Sequence, residues 1–279
     1  MPPAGTPDLT LEGFDHVIAL FNDVEQAAAG FAALGFHVLE RADAARTETA
    51  NRYVTFPDGS YLQLSAFHDR AQSARHKWAS MLDAGEGWVD YALRAGNVAS
   101  DAARLAAAGL PLSGPKPSVR PLANGMAWEA EILHAGRGAG ASPLLPYFIE
   151  DRNERTLRVP PSLVPQPAGT TGVAAVTLLT GHLEPHRASL TAAFGTAREV
   201  TPRLPGSGKA VAFDVAGRTL EIVEAVSGGL AETHRQRGDG VHEILLAADP
   251  STPPGAGEML PLELTHGALI RLHGTPDKD

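Results

Sequence analysis

The feature that most constrains this chain is a recurring strand–helix–strand cadence in which a Gly closes each helix. Phe14 to Phe21 (FDHVIALF) alternates, is rich in β formers and is bounded by Gly13 and Asn22-Asp23, so it reads as a strand. Asp23 is placed to N-cap a helix whose apolar residues Val24, Ala27, Phe31 and Leu34 follow helical spacing, and Gly35 ends it. FHVLE (36–40) predicts a second strand, NRYVTF a third, Pro57-Asp58-Gly59 a turn and YLQLSAF a fourth. Residues 13 to 67 are therefore expected to form one βαβββ module, with His16 on its first strand and Gln63 on its last.

The order recurs. WVDYALRA starts a strand at Trp88, VASDAARLAAAGL is a helix stopped at Gly109, and GMAWEAEIL and LLPYFIE read as strands, which gives a second module over 86–151. A Pro-rich stretch with prolines at 160, 161, 165 and 167 predicts an extended linker over 153–171. The cadence then resumes over 172–274 with GVAAVTLLTG, EPHRASLTAAFG, REVTP, KAVAFDV and RTLEIVEA. A shortened fourth module follows from Val241, where PSTPPGAGE stands in place of a helix and LPLELTH and ALIRLHG close the pattern. Four copies of one unit imply an α+β fold, with modules 12–67 and 86–151 in a first domain (10–152) and a degenerate second domain after the linker.

The stretches FDHVIALFNDVEQAAAGFAALGF, NRYVTFPDGSYLQLSAF and GWVDYALRAGNV resemble the glyoxalase-like family of the vicinal-oxygen-chelate superfamily, over about residues 12–152. The resemblance implies repeated βαβββ modules paired into incomplete β-barrels with helices outside. It implies a cavity in which a divalent metal, when present, takes ligands from the first and fourth strands. Isomerases, lyases, ring-cleaving dioxygenases and drug-sequestering resistance proteins share that architecture. On this register the metal ligands are His16, Gln63 and Glu150. Gln63 stands where the family commonly carries Glu, which weakens the set. Asp90 and Glu150 are the candidate catalytic carboxylates.

Composition narrows the chemistry. With no cysteine, thiolate nucleophiles and sulfur-ligated metals are excluded, so a metal would use His, Asp, Glu, Gln or water and would be a hard or borderline divalent ion; the ligand set that the resemblance implies would suit Zn, Mn, Fe or Ni. No organic cofactor is indicated. A formal net charge of −9 without a basic stripe argues against nucleic acid. The apolar runs are too short for a membrane helix and residues 1–14 lack a signal-peptide pattern, so a cytoplasmic, bacterial-type protein acting on a small molecule is expected, with a homodimer allowed. There is no GxSxG, HExxH or Walker A motif.

Asn51, Arg52, Tyr61, Arg120 and Trp128 are candidates for substrate recognition, through bidentate guanidinium contacts or aromatic walls. His68 and His76 read as an exposed loop, and GRGAGAS (136–142) as a hairpin loop able to cover the cavity. In the second half, Ala175 replaces the first-strand His, and Glu221, His242 and Arg271 make a poor metal set. The expected function is a metal-dependent lyase or isomerase stabilising an enolate or oxyanion. A metal-free binding protein of the bleomycin-resistance type and a ring-cleaving dioxygenase are the alternatives; the dioxygenase is disfavoured by the single well-placed His.

Overall fold

The structure is a computed structural model, and it describes residues 9–45, 47–136, 142–248 and 258–273. The first half contains β1 (Leu11–Phe21), α1 (Val24–Ala33), β2 (Thr49–Thr55), β3 (Tyr61–Phe67), α2 (Ala79–Asp83), β4 (Gly87–Ala95), α3 (Val98–Ala107), β5 (Leu112–Pro121), β6 (Ala127–Ala135) and β7 (Tyr147–Asp151). Asp23 caps α1 by accepting from the Glu25 and Gln26 amides. The seven strands make one sheet in the order β2-β3-β1-β4-β7-β6-β5. β1 runs parallel to β3 and antiparallel to β4, so the two modules join along β1 and β4.

The second half contains β8 (Thr170–Thr180), α4 (Leu183–Phe194), β9 (Arg198–Glu199), β10 (Ser207–Val215), β11 (Arg218–Ala225), α5 (Gly228–Arg237), β12 (Gly240–Ala248), α6 (Leu262–Thr265) and β13 (Leu269–His273). Its sheet order, β13-β12-β8-β11-β10-β9, repeats the same centre: β8 is parallel to β11 and antiparallel to β12.

Alternation along β1 sends its two faces to different cores. Val17, Ala19 and Phe21 join α1, α3 and the second sheet (Val173, Val176, Ile244, Leu246) in one buried cluster shared by both halves. Ile18 and Leu20 face the other way, into a cluster with Trp78, Trp128, Tyr147 and Ile149 that lines the hollow of the first sheet. The sheet curls far enough for its edges to be clasped. The loop after Leu39 pairs Asp43 with Leu122, and the Ala44 and Ala123 amides donate to the Pro121 and Ala42 carbonyls. The result is a half-barrel. Among the described residues no helix is long and apolar enough to cross a membrane.

Four local expectations change. FHVLE is reduced to a bridge between Leu39 and Tyr53, because His37 is held elsewhere: its amide donates to Gln166 Oε1 and its Nδ1 meets Ser162 Oγ. β5 was not anticipated. It carries Pro115, Pro117 and Pro121, which are tolerated because it is an edge strand whose lost donors need no ladder partner. The strand expected at REVTP shrinks to two residues, and α5, polar all round with only Leu230 buried, gave no apolar stripe to read. Of the Gly-rich loop 136–142, residues 137–141 lie outside the described residues, as does most of PSTPPGAGE.

Candidate functional site in the N-terminal half-barrel

A shift in the β1–β4 register between Phe14 and His16 breaks the alternation of β1 and brings consecutive side chains together. Asp15, with no exposure, and His16, 3 % exposed, are both buried. His16 Nδ1 lies 2.6 Å from Asp15 Oδ1. The Asp15 carboxylate is also gripped by both Nη atoms of Arg158, at 2.9 and 2.8 Å, and by Arg155 Nη1 at 2.7 Å. The same two arginines bind Asp151 at the end of β7, and Arg158 donates to the Tyr61 hydroxyl. One buried and one half-buried carboxylate therefore face two guanidinium groups. Both arginines come from the Pro-rich stretch read as a linker, which here plugs the half-barrel.

These contacts fix protonation. Burial pushes the Asp15 carboxyl up, but Arg158, the His16 hydrogen bond and Arg155 outweigh it and hold it well below the usual carboxylate range. Burial lowers the His16 imidazole despite Asp15. Burial and then Asp90 raise the Tyr147 phenol well above its ordinary value. Asp15 can only accept, so the neutral imidazole carries its proton on Nδ1 and its Nε2 accepts from the Tyr147 hydroxyl. The Tyr61 ring stacks on His16 at 4.6 Å. Both nitrogens and one ring face are engaged.

The expected metal and catalytic residues are not brought together. Tyr147 and Ile149 face the hollow, so Glu150 points to the opposite face. There its Oε2 accepts from the Val98 amide at the start of α3, 2.9 Å away, and its Oε1 from Arg152. Asp90 pairs with Lys77 and accepts from Trp78 Nε1 and its neighbour's amide. Gln63 does face the hollow beside Tyr61; its Nε2 donates to Asn51 Oδ1 and Ser65 Oγ, while its Oε1 accepts from no described residue. Among the described residues no group of three or more His, Cys, Asp or Glu is placed to hold a metal. A divalent ion does not fit this set: the imidazole is saturated, the carboxylate faces away and one neutral amide oxygen remains.

The expected recognition residues divide. Asn51 lies beside Gln63 in the hollow. Arg52 is turned outward to Glu25 and Glu40, and Arg120 is exposed on the β5 edge. Tyr61 belongs to the buried network. Trp128 is 7 % exposed, and its Nε1 is buried with no hydrogen-bond partner. The Arg41 guanidinium lies 5.3 Å from the Trp128 ring and 5.1 Å from that of Tyr53, the residue paired with Gln63. His76 packs edge-on to Trp78, whereas His68 is exposed.

In the second half, the Glu221 carboxylate is bound by Arg203 and Thr177, and Arg203 with Arg271 neutralises buried Glu243. Glu221 is thus paired through arginine with Glu243, while His242 lines a separate 180 Å³ cavity with Trp88 and Arg237. The sequence reading missed Asp15, Tyr147, Arg155, Arg158 and Glu243. The one available signal was a pair of arginines, Arg155 and Arg158, leading into the Pro-rich stretch.

The model of the glyoxalase-like domain family matches residues 14–194. No curated protein matches the sequence. Among solved structures, a hypothetical protein from Staphylococcus aureus superposes with a TM-score of 0.66 at 12% identity, over 93% of this chain and 98% of that one. A mutant of 4-hydroxymandelate synthase from Streptomyces coelicolor gives 0.59 at 16% identity, over 86% of this chain and 72% of that one. A xylose isomerase-like TIM barrel/4-hydroxyphenylpyruvate dioxygenase fusion protein gives 0.56 at 15% identity, over 89% of this chain and 39% of that one. At such identities the likeness is one of fold alone. With more than half its length matched, the chain belongs to the glyoxalase-like domain family and has the α+β fold of the vicinal-oxygen-chelate superfamily.

Proposed function

We propose that the protein binds a small organic molecule inside its N-terminal half-barrel, and does so without a metal ion. The observation that carries this reading is the orphan Trp128 Nε1. An indole N–H buried without a partner is a donor waiting for an acceptor. Gln63 Oε1 supplies an acceptor on the same side, next to Tyr53, which shares the Arg41 guanidinium with Trp128. A ligand with a carbonyl and a neighbouring N–H or O–H group would use both, with Ile18, Tyr53 and Ile149 as apolar walls.

The metal-dependent lyase or isomerase expected from the resemblance is set aside because its ligand set is not assembled. The dioxygenase alternative meets the same objection. The test is ligand-observed NMR with a panel of small amides and hydroxy or keto acids. Binding that weakens about tenfold in both Trp128→Phe and Gln63→Leu, the loss of roughly one hydrogen bond each, supports the proposal. Binding indifferent to both substitutions overturns it.

A further inference from the structure

The β2–β3 turn and the Pro-rich stretch enclose a different space, 330 Å³ in volume, which neither Trp128 nor Gln63 lines. Phe56, Val159 and Val164 give it an apolar wall. Two polar atoms of its lining residues are buried with no hydrogen-bond partner: Thr55 Oγ1 and Arg155 Nε. Thr55 is only 2 % exposed. It shares the inner face of β2 with Tyr53, against which Val159 packs. Arg155 spends its other nitrogens on Asp15, Asp151 and the Gly59 carbonyl, which leaves Nε alone. Gly59 lies beside that donor: a Cβ there would stand 3.7 Å from Arg155 Nε and 2.7 Å from Arg94 Nη1.

Charge selects the occupant. Arg155 and Arg158 are already matched by Asp15 and Asp151. A carboxylate or phosphate would arrive as an uncompensated buried anion, whereas a neutral acceptor would satisfy the orphans at no electrostatic cost. The volume is at the lower end of the range for small-molecule sites, about 300–1,000 Å³. We infer that this cavity is a second binding site, for a small uncharged carbonyl compound with an apolar body, whose oxygen accepts from Arg155 Nε and Thr55 Oγ1.

The probes are acetophenone and α-methylstyrene, which have the same shape but exchange the carbonyl oxygen for a methylene. Both are titrated against the full chain by ligand-observed NMR. Acetophenone is expected to bind, and α-methylstyrene to bind at least about tenfold more weakly, because it leaves both donors unpaired. Thr55→Val should weaken acetophenone binding while leaving the melting temperature unchanged or raised, since it deletes a hydroxyl that has no partner. Val164→Trp, at a position 49 % exposed and so safe for folding, should close the cavity and abolish binding. Trp128→Phe should leave acetophenone binding unchanged, which separates this site from the half-barrel hollow. Acetophenone failing to bind up to its solubility limit, equal affinity for the two probes, or affinity untouched by Val164→Trp would each overturn the inference. If Thr55→Val does not fold, Val164→Trp and the probe pair still decide.

Discussion

At Asp15 a carboxylate with no exposure meets the guanidinium groups of Arg155 and Arg158, and the balance among these groups and Asp151 decides what the half-barrel tolerates. Removing one partner of such a group strands the others. Arg158→Met is expected to destabilise the fold by ~3–5 kcal/mol in urea unfolding, and Asp15→Asn in the same chain to recover part of that loss. Tyr147→Phe leaves His16 Nε2 without its donor, at a cost of ~1–3 kcal/mol. The same groups set the acid response. The His16 imidazole is lowered in the fold, so below its ordinary value of 6.5 the unfolded chain binds the proton first and stability falls. Asp15 is lowered too, so its contribution is present above 3.8 and is lost as pH falls below that towards the folded value. Replacing Asp15 by Asn should flatten the acid limb of a stability–pH curve below pH 3.8, and an unchanged limb would contradict this assignment. His16 was legible in the sequence because a His among apolar strand residues stands out. Asp15 was not, because strict alternation puts it on the face of Val17 and Ala19, away from His16, and only the register shift in β1 brings the two together.

At the scale of elements, one residue of register separates expectation from structure. β7 presents Tyr147 and Ile149 to the hollow, so Glu150 serves α3 by accepting from the Val98 amide at its first turn. Glu150→Ala should therefore cost about 0.5–2 kcal/mol of stability, like the loss of a helix cap, and leave ligand affinity unaltered. A loss of affinity without loss of stability would place Glu150 back in the site. The elements with clean periodicity, β1, α1, β3, β4 and α3, were legible from pattern and caps. β5 was hidden by its prolines, and FHVLE looked like a strand until tertiary bonds from Ser162 and Gln166 drew it off the sheet. Long-range partners of this kind leave no local trace. That is also why Arg155 and Arg158 read as part of a linker.

For the whole molecule, the buried cluster running from β1 through β8 to β13 ties both halves into one core. Trp88 Nε1 donates to the Leu269 carbonyl, and Arg237 donates to the carbonyls of Gly85, Glu86 and Trp88. All three tryptophans lie in the first half, at 78, 88 and 128. Thermal unfolding followed by tryptophan fluorescence should therefore coincide with that followed by far-ultraviolet circular dichroism, whereas two separated transitions would mean independent halves. All four tyrosines are buried with raised phenols, Tyr53 pushed up to about 12. The unfolded chain ionises first, so above pH 10 stability should fall by up to about 1.4 kcal/mol per pH unit for each tyrosine. Phenolate absorbance should appear only with unfolding.

The central claim, that the half-barrel hollow is a ligand site without a metal, is tested most directly by elemental analysis of full-length protein purified without chelator and then offered zinc, manganese, iron and nickel salts. The account predicts far less than one equivalent of any of them per chain, with His16→Ala indistinguishable from the parent. One equivalent of metal that disappears in His16→Ala would contradict it.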